Sequence, residues 1–120
     1  MDKVIKEIVD ELKKDEEVLA ILLFGSKGKM YERRTSDIDI CVVAPRGGAK
    51  LFEKTLRLMK DERIDIKLFE DLPLFIKIKV IETGKVLYVK DKVKLFEYFY
   101  LIRKIWEDEN LAISKLSIKR

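Results

Sequence analysis

The chain predicts an α/β layer architecture, a small sheet covered by helices, on three observations. Stretches with apolar residues at helical spacing alternate with short apolar or β-branched runs along the 120 residues. Those runs are closed by Gly, Pro or charged residues at lengths typical of strands. No repeat, low-complexity tract or composition shift divides the chain, so residues 1–120 are expected to form one domain around one core.

Residues 3–14 place Val4, Ile5, Ile8, Val9 and Leu12 on one face, with charges opposite, which predicts an amphipathic helix. "VLAILLF" (18–24) is too apolar for a one-sided strand and is expected to be buried on both faces, with Gly25 stopping it. "IDICVV" (38–43) is a second strand, ended by Pro45 and Gly47-Gly48. Leu51, Phe52, Leu56 and Met59 predict a second helix over about 49–61, and "RIDIKLF" (63–69) alternates as a third strand. Pro73 suits the first turn of a short helix carrying Leu74, Phe75, Ile78 and Ile81, with Gly84 as its C-terminal cap. "KVLYV" (85–89) is a fourth strand. Asp91 can cap a last helix over about 92–108, with Leu95, Phe96, Phe99, Ile102 and Trp106 on one side and a charged, fraying tail beyond. The core spans about 3–90.

Composition narrows the chemistry. The 48% hydrophobic fraction excludes a disordered chain. The 40% charged fraction, rich in Lys and Glu, exceeds the usual proportion of roughly 25% and resembles usage in proteins from hot environments. A net charge of +4 permits a polyanionic ligand without demanding one, and no block of like charge marks a nucleic-acid arm. No apolar run reaches the roughly 18 residues of a membrane span, and the first residues lack a signal-peptide core, so a cytoplasmic protein is expected. Cys41, the single cysteine, lies in a strand pattern as a small buried hydrophobe. The absence of histidine excludes Ser-His-Asp hydrolysis, histidine-ligated zinc and imidazole acid–base chemistry. Carboxylates, Lys/Arg, hydroxyls and a hard metal ion remain.

"LLFGSKGKMYERRTSDIDICVV" (22–43) concentrates those groups. Gly25-Ser26 ends a buried strand. If a helix begins near Lys27, its N-terminus, with Lys27 and Lys29 beside it, favours a phosphate; the alternative is an ordinary strand-ending turn. The P-loop pattern is not satisfied, because Gly28-Lys29 is followed by Met30. Asp37 and Asp39 are two apart on a strand and so project from one face, roughly 7 Å apart at Cα. Buried without a partner they would repel, and Mg²⁺ is a counter-ion suited to such a pair; a solvated strand end is the alternative. Ser36-x-x-Asp39 also mimics a capping box, but the β-branched run around it favours a strand. Asp65, flanked by isoleucines as Asp39 is, adds a third carboxylate. If the second and third strands are neighbours, the three converge as a two-metal phosphoryl-transfer site, with Asp65 as metal bridge and general base.

"GSKGKMYERRTSDIDI" resembles the signature of the DNA polymerase β nucleotidyltransferase superfamily: G-S, a polar segment, then S-D-x-D among apolar residues. "RIDIKLFEDLP" and "IETGKVLYV" resemble the third-aspartate segment and the short strand that follow it in the minimal nucleotidyltransferase (MNT) group. The resemblance covers roughly residues 3–90. It implies the polymerase β-like fold, a small mixed sheet flanked by helices, and Mg²⁺-dependent transfer of a nucleoside monophosphate, AMP from ATP, with release of pyrophosphate. Gly25, Ser26 and Lys29 would hold the triphosphate; Asp37, Asp39 and Asp65 would hold two Mg²⁺ ions. The chain departs from the family in having Gly28-Lys29-Met30 where Ala-Arg-Gly is usual, which makes Lys29 a point charge rather than a planar fork.

No second domain for an acceptor is legible. MNT proteins are often antitoxins of HEPN-domain ribonuclease toxins, and in some pairs they transfer AMP to a toxin tyrosine. The resemblance therefore implies a HEPN toxin as partner and a protein hydroxyl as acceptor, with no membrane and no direct nucleic-acid partner, and it allows an oligomer. Masking of the toxin by binding alone, and a small-molecule or RNA transferase subunit, remain as alternatives. "FEYFYLIRKIWEDE" in the last helix carries more aromatics than one narrow stripe needs, so either core packing or a partner face could account for them.

Overall fold

The structure, a computed structural model, describes residues 2–25 and 38–118, with side chains described over 3–25 and 38–111. Four strands form one mixed sheet in the order β3-β2-β1-β4: β1 (Ala20–Phe24), β2 (Ile38–Val43), β3 (Ile64–Leu68) and β4 (Lys85–Val89). β1 pairs antiparallel with β2 and with β4, whereas β2 and β3 are parallel. The parallel pair follows from the connection: α2 (Ala49–Leu58) carries the chain back to the start of the sheet, and a parallel crossover needs such a return. The ladder between β1 and β4 shifts register between Ile21 and Leu22.

Alternation along the strands sorts the core into two layers. Ile21 of β1, Ile38, Ile40 and Val42 of β2, and Ile64 and Ile66 of β3 meet α1 (Asp2–Leu12) through Ile8 and Leu12, and α2 through Leu51. On the opposite face Ala20, Leu22, Cys41 and Val43 pack with Phe69, with Ile78 and Val80 of α3 (Leu74–Thr83), and with Leu95 and Ile102 of α4 (Lys92–Ile118). β1 is buried at Ala20, Ile21 and Leu22, as a strand covered on both sides should be. Burial pushes the Cys41 thiol up to about 12, with the Glu70 charge adding to the effect, so it stays protonated.

A single-turn 3-10 helix, Phe69–Asp71, follows β3, and its Glu70 ties three elements together. The Ala44 N–H, just past β2, donates to both Glu70 carboxylate oxygens at 3.2 and 3.1 Å, and the Tyr98 hydroxyl of α4 donates to Oε2 at 2.9 Å. Phe69 fills the space beneath, its ring 5.8 Å from that of Tyr98 and 5.3 Å from that of Phe99. Burial first, then the Glu70 charge and hydrogen bond, hold the Tyr98 hydroxyl well above the usual tyrosine range.

Of two helix ends, the first meets expectation. Gly84 caps α3, its N–H donating to the Val80 carbonyl at 2.8 Å, with an extended rather than left-handed backbone (φ −70°). A Cβ there would stand 2.6 Å from the Val80 carbonyl oxygen and 3.0 Å from Leu22 Cδ2, so close approach of helix to sheet is what calls for glycine. The last helix starts as expected, with Asp91 Oδ1 accepting from the Lys94 N–H at 3.1 Å, yet it runs to Ile118 rather than ending near 108. Residues 109–118 contain no Gly or Pro to stop it.

Candidate active site

Asp39 lies second in β2 and Asp65 second in β3, and the parallel ladder puts them in register. Neighbouring strands are about 4.8 Å apart, so two carboxylates project side by side from the face that carries Cys41 and Phe69. β1 completes the row, since Phe24 is the antiparallel partner of Asp39. The row sits at the end of the sheet where β1 finishes and β2 and β3 begin. There the Ile38 N–H donates to the Arg63 carbonyl at 3.0 Å and closes the ladder just before the acidic pair.

Gly25 is the next residue of β1's chain. Its φ of +142° is a conformation that side chains disfavour. A Cβ built there would collide with the Asp39 carboxylate, with Cγ 3.1 Å away. Backbone and carboxylate can lie this close only because position 25 has no side chain.

A cleft of about 1100 Å³ opens over this end of the sheet. Gly25, Asp39 and Asp65 form part of its floor; Phe52 and Leu56 of α2 and Phe75 and Lys79 of α3 stand around it. Asp65 is partly buried, and its Oδ2 receives an ion pair from Lys67 Nζ at 3.1 Å. Lys67 and Lys79 are not legible as cleft residues in the sequence, and Phe75 is legible there only as part of a helix's apolar face. Strand alternation does place Lys67 on the face of Asp65.

Of the six residues anticipated for the site, Gly25, Asp39 and Asp65 are brought together. Ser26, Lys29 and Asp37, together with the helix expected near Lys27, lie outside the described residues. Among the described residues no cluster of three or more acidic, His or Cys side chains stands ready for a metal. Asp39 and Asp65, in register, nevertheless offer carboxylate oxygens side by side. That set fits Mg²⁺, which takes one or two carboxylates and completes its shell with phosphate oxygens and water. No helix among the described residues is long and apolar enough to cross a membrane.

Residues 6–93 match the family described as Polymerase beta, Nucleotidyltransferase. A Methanocaldococcus jannaschii protein bearing the name "Putative protein adenylyltransferase MJ1547" is 44% identical over 91 residues, which make up 76% of this chain and 71% of that protein. Among solved structures, a chain of the toxin–antitoxin complex MntA-HepT superposes with a TM-score of 0.66 at 21% identity, over 98% of this chain and 99% of its own. A chain from the complex of a tri-AMPylated Shewanella oneidensis HEPN toxin with its MNT antitoxin gives 0.63 at 20%, over 98% and 95%. A toxin–antitoxin structure with AMP-PNP gives 0.61 at 22%, over 94% and 97%. At these identities the superpositions establish a common fold.

Proposed function

This chain belongs to the polymerase beta nucleotidyltransferase family, and from that premise we propose that it transfers AMP from ATP to a hydroxyl of a HEPN-domain toxin, acting as that toxin's antitoxin in the cytoplasm. The observation that carries this is the in-register pair Asp39 and Asp65 against Gly25 on the floor of an open cleft. The sheet fixes both carboxylates on neighbouring strands, which gives a transfer site rigid ligands.

Gly25, Ser26 and Lys29 would receive the triphosphate, and Asp37, Asp39 and Asp65 would hold two Mg²⁺ ions. Bound there, Mg²⁺ would neutralise phosphate charge and lower the pKa of the acceptor hydroxyl. Asp65 accepts the hydroxyl proton, and the hydroxyl oxygen bonds to the α-phosphorus. The bond from that phosphorus to the oxygen bridging to the β-phosphate breaks, and pyrophosphate leaves.

AMP and a protein acceptor are supported by the name of the M. jannaschii relative and by the AMP-PNP and tri-AMPylated toxin structures. A protein partner is also supported by α4. Val93, Phe96 and Tyr100 are 64%, 72% and 64% exposed and stand on the side of the helix away from Leu95 and Ile102, so Phe96 does not belong to the buried stripe in which its spacing had placed it. Exposed aromatics at helical spacing fit a protein interface better than a solvated face.

The experiment is incubation with ATP labelled at the α-phosphate, Mg²⁺ and the HEPN toxin. Label should pass to the toxin and be lost with Asp39→Asn while the complex still forms. A tight complex without label from any nucleoside triphosphate would leave masking as the function, and label on RNA would refute a protein acceptor.

A further inference from the structure

Lys67 follows Asp65 by two residues, so both side chains leave β3 on the face that carries the acidic pair. Its ammonium sits 3.1 Å from Asp65 Oδ2, with Lys67 51% and Asp65 30% exposed. Both line the cleft. Across the ladder Lys67 meets Cys41, a buried thiol that offers no countercharge.

A lysine there works against a carboxylate whose task is to bind a metal, because a cation on Asp65 weakens its attraction for another cation. The ion pair itself is a weak structural reason for the lysine, since half-exposed pairs contribute little to stability. The placement is productive for a site that receives metal and polyphosphate together. A phosphate oxygen can take over the ammonium as the metal takes over the carboxylate. A flexible lysine stem with a point charge suits that exchange better than a planar guanidinium would.

We propose that Lys67 is a positioning residue for the nucleotide: it holds Asp65 in the nucleotide-free protein and passes to a phosphate oxygen of the incoming triphosphate, coupling metal binding to nucleotide binding. This rests on the nucleotidyl-transfer reading and deepens it. The metal alone should bind weakly, and the metal–nucleotide complex should bind well.

The test reads binding rather than turnover. Mn²⁺ binding to the nucleotide-free protein is followed by electron paramagnetic resonance, and Mg²⁺–AMP-PNP binding by calorimetry, for the wild type, Lys67→Met and Lys67→Gln. Both variants should tighten Mn²⁺ binding about two- to fivefold, the reach of a half-exposed ion pair, and weaken AMP-PNP binding by a similar factor or more. A merely structural lysine would not move the two affinities in opposite directions. Variants that leave both affinities unchanged, or weaken both with the melting temperature unaltered, overturn the proposal. A wild-type protein that binds neither Mn²⁺ nor AMP-PNP instead overturns the nucleotidyl-transfer reading beneath it. Glutamine and methionine suit a half-exposed position, and unchanged circular dichroism shows that either variant is folded.

Discussion

Asp39 and Asp65 are register partners on the parallel strands β2 and β3, so the two carboxylates share one face of the sheet. In this arrangement the sheet itself sets the spacing of the acidic groups. A slip of one residue would turn one carboxylate to the opposite face, against Ile8 and Leu51. Removing either carboxylate by Asp39→Asn or Asp65→Asn should lower nucleotidyl transfer by more than about a hundredfold, since even groups one shell out from a metal are worth 10–100-fold. Pyrophosphate release with saturating ATP checks it, and a variant within tenfold of wild type would remove that carboxylate from the site.

Gly25→Ala tests the close approach of backbone to Asp39. The substitution forces a side chain onto a positive φ and into the Asp39 carboxylate. It should destabilise the fold by about 1–3 kcal/mol and abolish transfer, because Asp39 must turn away to make room. Urea denaturation and a transfer assay on the same sample separate the two effects. Retained activity at wild-type stability would show that the approach is not required.

Glu70 pins the far end of the β2–β3 ladder through Ala44 and Tyr98, and so helps to hold the register at Asp39 and Asp65. Glu70→Ala strands the Ala44 N–H and the Tyr98 hydroxyl. A loss of roughly 1–3 kcal/mol in unfolding free energy is expected, measured by urea denaturation, together with reduced transfer at a site that the residue does not touch.

The same network gives an alkaline limit to stability. Tyr98 titrates above its ordinary value of 10.0 in the folded protein, first through burial and then through Glu70. Because its folded pKa is raised, its contribution is fully present below pH 10 and falls as pH rises beyond that toward the folded value. Denaturation midpoints should therefore drop above pH 10, and Tyr98→Phe should flatten that drop.

On α4, Phe96→Asp should leave the melting temperature unchanged, because the side chain is 72% exposed. It should weaken binding to the HEPN toxin by about thirtyfold or more, the loss expected at an interface hot spot of 2 kcal/mol. Calorimetric titration measures it, and unaltered affinity would move the partner to another face.

The four strands were readable because their apolar runs are short and bounded, and the helices because Val4, Ile8 and Leu12, or Leu51, Phe52, Leu56 and Met59, recur at helical spacing. The neighbouring of Asp39 and Asp65 was readable only as a condition. Periodicity shows which face a residue takes but not which strand lies next to it. Gly84 was readable as the cap of α3, but the packing of α3 on Leu22 that leaves no room for a side chain there was not, because it is a contact between distant segments. Glu70 and Tyr98 could not be paired in advance, since a glutamate after a strand and a tyrosine in an aromatic helix each have an ordinary surface or core explanation. α4 runs past its expected end because charge alone does not fray a helix in which no Gly or Pro interrupts the ladder.

The most direct measurement is the intact mass of the HEPN toxin after incubation with ATP, Mg²⁺ and this protein, alongside the Asp39→Asn and Asp65→Asn variants. The wild type should add one or more AMP groups to the toxin, and both variants should leave it unmodified while still binding it. An unmodified toxin with the wild type, or equal modification by the variants, would contradict transfer at the Asp39–Asp65 pair.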